Sequence, residues 1–367
     1  MTQRRLSALR ERMRDVGVDT FLVTNATNVR YLSTFTGSNG TLVITDDEQF
    51  IVTDFRYFEQ AAHEAPDFRL VRQTGGLPNA IAEALQVAGS RRVAFEADDV
   101  TVALFDELQR HAPQGVHFEP TREVIIRLRA VKDADEIETL RRAQRITDEA
   151  FERWVALVQP GITEAELAWK LEVILRELGA QGPSFDIIVA VGDHSALPHY
   201  HPVPGDRAVR PNDIVLVDFG ALVDGYHADM TRTIYVGDPD ERFREVYSAV
   251  LEALHHAETH LRAGMSSRDA DALARDLLTA RGFGEAFGHS LGHGVGLEIH
   301  EFPRLSPRAA EDEIVPAHSV VTIEPGVYLP GWGGVRIEDL AVVHEDGIEI
   351  LTRSPKAVDF WKIHAAY

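Results

Sequence analysis

The chain has 367 residues, enough for two domains with separate cores, and its 44% hydrophobic and 26% charged residues are ordinary for a globular protein. A net charge of −21 argues against a nucleic-acid partner, because there is no basic surplus to neutralise phosphates. Cysteine is absent, so disulfides and thiolate metal sites are excluded and any metal must sit on His, Asp or Glu.

Met1 to Arg14 carries Arg4, Arg5, Arg10, Glu11, Arg12 and Arg14 around Leu6, Leu9 and Met13. That pattern predicts a charged amphipathic helix and lacks the apolar stretch of a signal peptide. No run of about 18 apolar residues occurs, so no membrane span is expected and the location is read as cytoplasmic. Strands are expected at Phe21–Thr24, Thr41–Thr45 and Phe50–Thr53, and helices at Pro78–Val87 and Val100–His111, with the small, polar stretch Tyr31–Gly40 as a loop. Residues 1–125 thus form an α/β domain, 126–132 a linker and 133–367 a second domain.

Asp133 with Glu136, and Thr163 with Glu166, have the capping-box spacing that opens a helix, and the two helices end at Pro160-Gly161 and Gly179. The pattern returns about a hundred residues later. A helix from about Arg242 to Leu261 precedes Gly264, and another opens at Ser266 and stops at Gly282. A shift of 103 aligns Gly161 with Gly264, Thr163 with Ser266 and Gly179 with Gly282, which suggests an internal duplication.

A β-hairpin signal follows each helix pair. In the first, Ile214–Asp218 runs to a turn near Val223-Asp224 and returns through Asp229. A turn there sets Asp218 and Asp229 opposite or nearly opposite each other. In the second, Val320–Glu324 enters the turn at Gly331–Gly334 and returns through Glu338, which makes Glu324 and Glu338 direct partners. Like charges facing across strands repel, and two such pairs at equivalent places need positive compensation. Arg232 and Arg336 are candidates, but four carboxylates suit two hard or borderline divalent ions better. A water-activating site adds imidazole, and His289, His293 and His300 lie in a glycine-rich apolar segment, with His199 and His201 ahead of the first hairpin. Those glycines disfavour helix and let backbone approach a ligand. His255, His256 and His260 read as ordinary positions on an exposed helix face.

Together these stretches resemble the creatinase/aminopeptidase P/prolidase group of metallopeptidases. The similarity rests on Asp218-Phe219-Gly220, Asp229–Thr233, His289–His300, Thr322–Gly326 and Val335–Asp339, with further likeness at Tyr31–Gly40 and Thr53–Tyr57. The resemblance implies an α+β chain whose C-terminal half has the pita-bread fold with a pseudo-twofold repeat, after a smaller α/β domain. It implies two divalent ions per chain, Mn before Co, Zn or Fe. The ligands would be Asp218, Asp229, His293, Glu324 and Glu338, with Asp229 and Glu338 shared by both ions. Glu324 would also move the proton, and His300 with His199 would steady the tetrahedral oxyanion. His289, His201 and Arg336 would line the substrate site, with Thr233 in support. Local pattern favours His199 for that role, whereas spacing to Asp218 favours His201. The implied reaction is hydrolysis between an N-terminal residue and a following proline, by a dipeptidase in preference to an aminopeptidase, with short proline peptides as partners and a homodimer as the assembly. Rival readings are a non-metal creatinase-like enzyme, a methionine aminopeptidase and a peptide-binding protein that keeps the fold without catalysis.

Overall fold

A computed structural model describes residues 2–205, 207–357 and 362–363. Met1 of the expected first helix, and 206, 358–361 and 364–367 of the expected second domain, lie outside the described residues. The chain divides into two units, Met1–Arg129 and Ala130–Tyr367.

The first unit runs α1 (Thr2–Val16), β1 (Thr20–Val23), α2 (Ala26–Ser33), β2 (Thr41–Thr45), β3 (Gln49–Thr53), α3 (Phe58–Glu64), β4 (Arg69–Arg72), α4 (Leu77–Ala88), β5 (Arg92–Glu96), α5 (Val102–His111), β6 (His117–Thr121) and α6 (Val124–Ala130). Its six strands form one mixed sheet in the order β4-β3-β2-β1-β5-β6. Central strand β1 is buried at every position, as strands covered on both faces are. One expectation fails here. Residues 31–33 are helical, because the Asn25 side chain accepts the Asn28 N–H and caps α2 ahead of them. The stretch 126–132 read as a linker contains the division after Arg129 and is largely α6.

The second unit opens with α7 (Ala134–Val155) and α8 (Glu164–Glu177), followed by β7 (Gly182–Pro183), β8 (Ile188–Val191), β9 (Ile214–Phe219), β10 (Ala221–Val223), β11 (Tyr226–His227) and β12 (Met230–Val236). Then come α9 (Glu241–His260), α10 (Ser267–Ala280), β13 (Gly292–Gly294), β14 (Glu301–Leu305), β15 (Val320–Ile323), β16 (Gly326–Leu329), β17 (Gly333–Arg336), β18 (Asp339–His344), β19 (Gly347–Ile350) and β20 (Lys362–Ile363). Both expected capping boxes are formed, Asp133 with Glu136 and Thr163 with Glu166.

The duplication is visible in the backbone. Gly161 N–H donates to Val209 O and Gly264 N–H to Val315 O, each at 2.9 Å. Thr163 and Ser266, the caps of α8 and α10, each form an isolated bridge, to Ala208 and Ile314. Gly161, Gly179, Gly264 and Gly282 all have positive φ; Gly179 and Gly282 follow the ends of α8 and α10, where that conformation favours glycine, whereas α7 ends at Val155, ahead of the expected Pro160-Gly161. Each half has its own apolar cluster, one behind α7 and α8 and one behind α9 and α10.

These cores position the acidic strands. Phe151 on α7 stacks on Trp154 and on Phe219, the neighbour of Asp218, with ring centroids 6.0 and 6.5 Å apart. Phe151 and Phe219 are fully buried. Phe151→Ala should therefore destabilise the chain by about 3–5 kcal/mol, whereas Asp133→Ala, which deletes a cap, should cost about 1 kcal/mol. Urea unfolding of the two variants checks that order.

Candidate metal centre

Strand register brings the acids together. β9 pairs antiparallel with β12 so that Asp218 faces Thr231, and the same register puts Asp229 diagonal to Asp218. The two acids are thus near neighbours, with Thr231 as Asp218's direct partner. In the second half β16 pairs with β17 as Gly326↔Arg336, and β15 with β18 as Ile323↔Asp339. Glu324 and Glu338 sit between these pairs in the same register, as the Gly331 turn requires. The halves meet where the Glu338 N–H donates to Thr231 O at 3.1 Å.

Asp218, Asp229 and Glu338 each place a carboxylate oxygen within 4.8 Å of the others, the one such group among the described residues. The His293 Nε2 lies 3.7 Å from Asp229 Oδ2 and 3.5 Å from Glu324 Oε1. The His300 ring meets the His293 ring edge-on, with centroids 4.4 Å apart. His289 Nδ1 is 3.9 Å from Glu324 Oε2, and its Nε2 bonds the Tyr328 hydroxyl at 2.9 Å. His199 acts electrostatically on Asp218, His289 and His300, and both His199 and His201 are exposed.

Both charge compensators named from the sequence are buried, but only one faces the cluster. Arg336 Nη2 donates to Asp218 Oδ2 at 2.6 Å, its Nε to Thr231 Oγ1 at 2.9 Å and its Nη1 to the Tyr328 hydroxyl at 2.7 Å. All three nitrogens hold protein oxygens, so Arg336 is part of the wall and does not present a free guanidinium to a substrate. Arg232 turns to the other face of β12 and pairs with Asp339 at 2.8 Å. β12 explains the difference by alternation: 229, 231 and 233 face one way and 232 the other. Thr233 Oγ1 accepts from the Arg336 N–H at 3.1 Å and donates to the Arg336 carbonyl at 2.8 Å.

One guanidinium does not balance four carboxylates. Burial, followed by the charges of Glu338, Asp218 and Glu324, holds Asp229 well above the usual carboxylate range. Burial and the charges of Glu324 and Asp218 do the same to Glu338. Burial pushes Glu324 up to about 8, against the opposing pull of Arg336. Burial drives the imidazoles the other way, His289 down to about 3 and His293 to about 4, so both are neutral donors of a lone pair.

Residues 138–345 match Metallopeptidase family M24, and residues 5–131 match the Creatinase/Prolidase N-terminal domain. The chain belongs to metallopeptidase family M24. It is 40% identical over 352 residues to an uncharacterized peptidase of Bacillus subtilis (strain 168), covering 96% of this chain and 98% of that one. Among solved structures, an Xaa-Pro dipeptidase from Bacillus anthracis superposes with a TM-score of 0.94 at 40% identity, covering 98% of this chain and 99% of that one. An X-Pro aminopeptidase from Thermotoga maritima gives 0.87 at 37%, covering 95% and 99%. The two-domain creatinase/prolidase architecture with a C-terminal pita-bread domain follows from these matches.

The M24 family uses divalent metals, and this donor set fits them. Asp218 Oδ1 is buried without a hydrogen-bond partner, an acceptor aimed into the cluster. Oxygen-rich ligands with one neutral imidazole suit Mn, Co, Zn or Fe without choosing strongly among them.

Sequence reasoning missed three supports. Thr231 donates to Glu338 Oε2 at 2.6 Å, Thr322 donates to Glu324 Oε1 at 3.3 Å, and Tyr328 joins His289 to Arg336. Period-two alternation would have found Thr231 and Tyr328, each an even number of residues from a group facing the cluster. The glycine-rich segment also differs from expectation. Gly292 is glycine because a Cβ there would lie 2.0 Å from the Thr322 carbonyl oxygen, so the close approach is to a neighbouring strand.

The raised carboxylates fix a pH dependence. A folded-state pKa above the unfolded one stabilises the fold at low pH, and that stability is lost as pH rises through the folded value. Above about pH 7.5 the histidines are neutral in both states, so the carboxylates dominate. The chelated protein should lose thermal stability between about pH 7.5 and 9, and added Mn2+ should raise the melting temperature more at pH 9 than at pH 7.5. Thermal denaturation at both pH values, with and without chelator, checks the sign.

Proposed function

We propose that this chain is an Xaa-Pro dipeptidase that holds two divalent ions on Asp218, Asp229, His293, Glu324 and Glu338, with Mn as the first candidate metal. The observation that carries the reading is the buried cluster of like charges drawn from two hairpins, in a chain similar over 98% of its length to an Xaa-Pro dipeptidase. When bound, paired divalent ions lower the pKa of water and polarise the scissile carbonyl.

The protein's part follows from its own groups. Glu324 Oε1 is engaged by Thr322, which leaves Oε2 to take a proton and return it to the departing proline nitrogen. His300 and His199 donate hydrogen bonds to the developing oxyanion. Burial keeps the His300 pKa low, so it serves as a neutral donor. His199 is favoured over His201 because His199 acts on Asp218, His289 and His300. His289 and Arg336 hold Tyr328 and Asp218 in place.

The binding-protein and non-metal readings have no support in a site with every acid and imidazole of the set in place. An aminopeptidase reading draws on the Thermotoga maritima structure. The assembly is read as a cytoplasmic homodimer acting on short proline peptides. Among the described residues no helix is long and apolar enough to cross a membrane.

Glu324→Gln should lower kcat by about 100-fold or more while the chain stays folded. A near wild-type rate would remove Glu324 from the chemistry. His199→Ala should cut kcat at least tenfold and His201→Ala by less than threefold, in keeping with about 10- to 1000-fold for a lost oxyanion donor. Comparing kcat/KM on Xaa-Pro dipeptides, Xaa-Pro tripeptides and longer peptides decides dipeptidase against aminopeptidase, with activity confined to dipeptides expected.

A further inference from the structure

Glu338 is held to the first half of the repeat by both its backbone N–H and its backbone carbonyl. Its N–H donates to Thr231 O at 3.1 Å, and its carbonyl accepts from Arg232 Nη1 at 2.5 Å. Thr231 follows Asp229 by two residues on the same chain segment. This clamp therefore sets how far a second-half carboxylate stands from a first-half one.

Arg232 does not hold its position unaided. Its side chain is fully buried, its Nε has no partner, and its Nη2 donates to Asp339 Oδ1 at 2.8 Å and to Ser354 O at 2.7 Å. The second oxygen of Asp339 accepts from Lys356 Nζ at 2.5 Å. Lys356 Nζ also donates to Glu258 Oε1 on α9 at 2.7 Å, and the Lys356 carbonyl accepts from the Tyr247 hydroxyl at 2.8 Å. Lys356 is thus fastened to α9 by its side chain and its backbone. It ends a chain of ionic contacts that runs Lys356, Asp339, Arg232, Glu338 carbonyl. In a fully buried pair, a carboxylate stripped of one partner pulls on what remains, because the low-dielectric surroundings do not screen it.

We propose that Lys356 is a positioning residue for the metal centre: by holding Asp339 it keeps Arg232 on the Glu338 carbonyl and so sets the spacing between the two halves' ligands. The inference rests on the two-ion reading above. It concerns the face of β12 opposite the cluster, and Lys356 touches none of the five ligand residues.

The test uses the full chain, chelated and then titrated with Mn2+ by calorimetry, alongside kcat and KM on an Xaa-Pro dipeptide and the unfolding midpoint of the chelated protein. Lys356→Met should weaken Mn2+ binding about 10-fold or more, the scale on which groups behind metal ligands act. It should also lower kcat with KM nearly unchanged, and Lys356→Arg should restore most of both. Unchanged Mn2+ affinity in Lys356→Met, with or without a lower unfolding midpoint, would show the network to be structural only and overturn the proposal. Should Lys356→Met fail to fold, Glu258→Ala decides in its place: weaker Mn2+ binding supports the proposal and wild-type binding overturns it. A wild-type chain that takes up no Mn2+ would overturn the two-ion reading itself, an outcome distinct from equal binding by wild type and variant.

Discussion

Mutual repulsion among Asp218, Asp229, Glu324 and Glu338 is the constraint around which the second unit is organised. Taken alone, each acid is a hairpin residue that would prefer water. Two antiparallel registers and one hydrogen bond across the seam between the halves force all four into a largely buried volume with one guanidinium for company. In such surroundings a carboxylate stays ionised only if positive charge is supplied, which is why the side chains by themselves hold their protons far above the usual range. The cluster is unstable as protein alone and well suited to a pair of divalent cations.

What surrounds the cluster serves to hold that arrangement. Apolar packing behind each helix pair fixes the strands from outside, and Phe151 against Phe219 delivers the strand that ends in Asp218. Threonines supply hydrogen bonds to the carboxylates, and their β-branched side chains have little rotamer freedom. Arg336 and Arg232 divide the electrostatic work by facing opposite ways from adjacent strands. Arg336 neutralises part of the cluster directly. Arg232 ties the backbone of Glu338 to β12 and is held in turn by Asp339 and, beyond it, Lys356.

Much of this was legible in the residues. The helix ends could be placed because capping boxes and positive-φ glycines are local devices, determined within four or five residues. The duplication was legible for the same reason, since both halves use those devices at a constant offset. Pairing of Glu324 with Glu338 followed from turn position alone, because a hairpin centre determines every opposed pair on its strands. The first hairpin was harder, as its strands pass between two sheets at Gly220 and the turn lies one residue later than expected. α2 was missed because its cap, Asn25, lies ahead of the stretch that looked like loop.

The two-domain α+β organisation, the repeat, and the four acids and histidines of the candidate centre were all readable from the residues, since each is written in spacing along one segment. Which arginine faces the acids, and that Thr231 and Tyr328 bond the groups around them, became visible only in the folded chain. Those choices depend largely on contacts between residues some 40 to 120 positions apart. No local pattern encodes which face of a distant strand a side chain will meet.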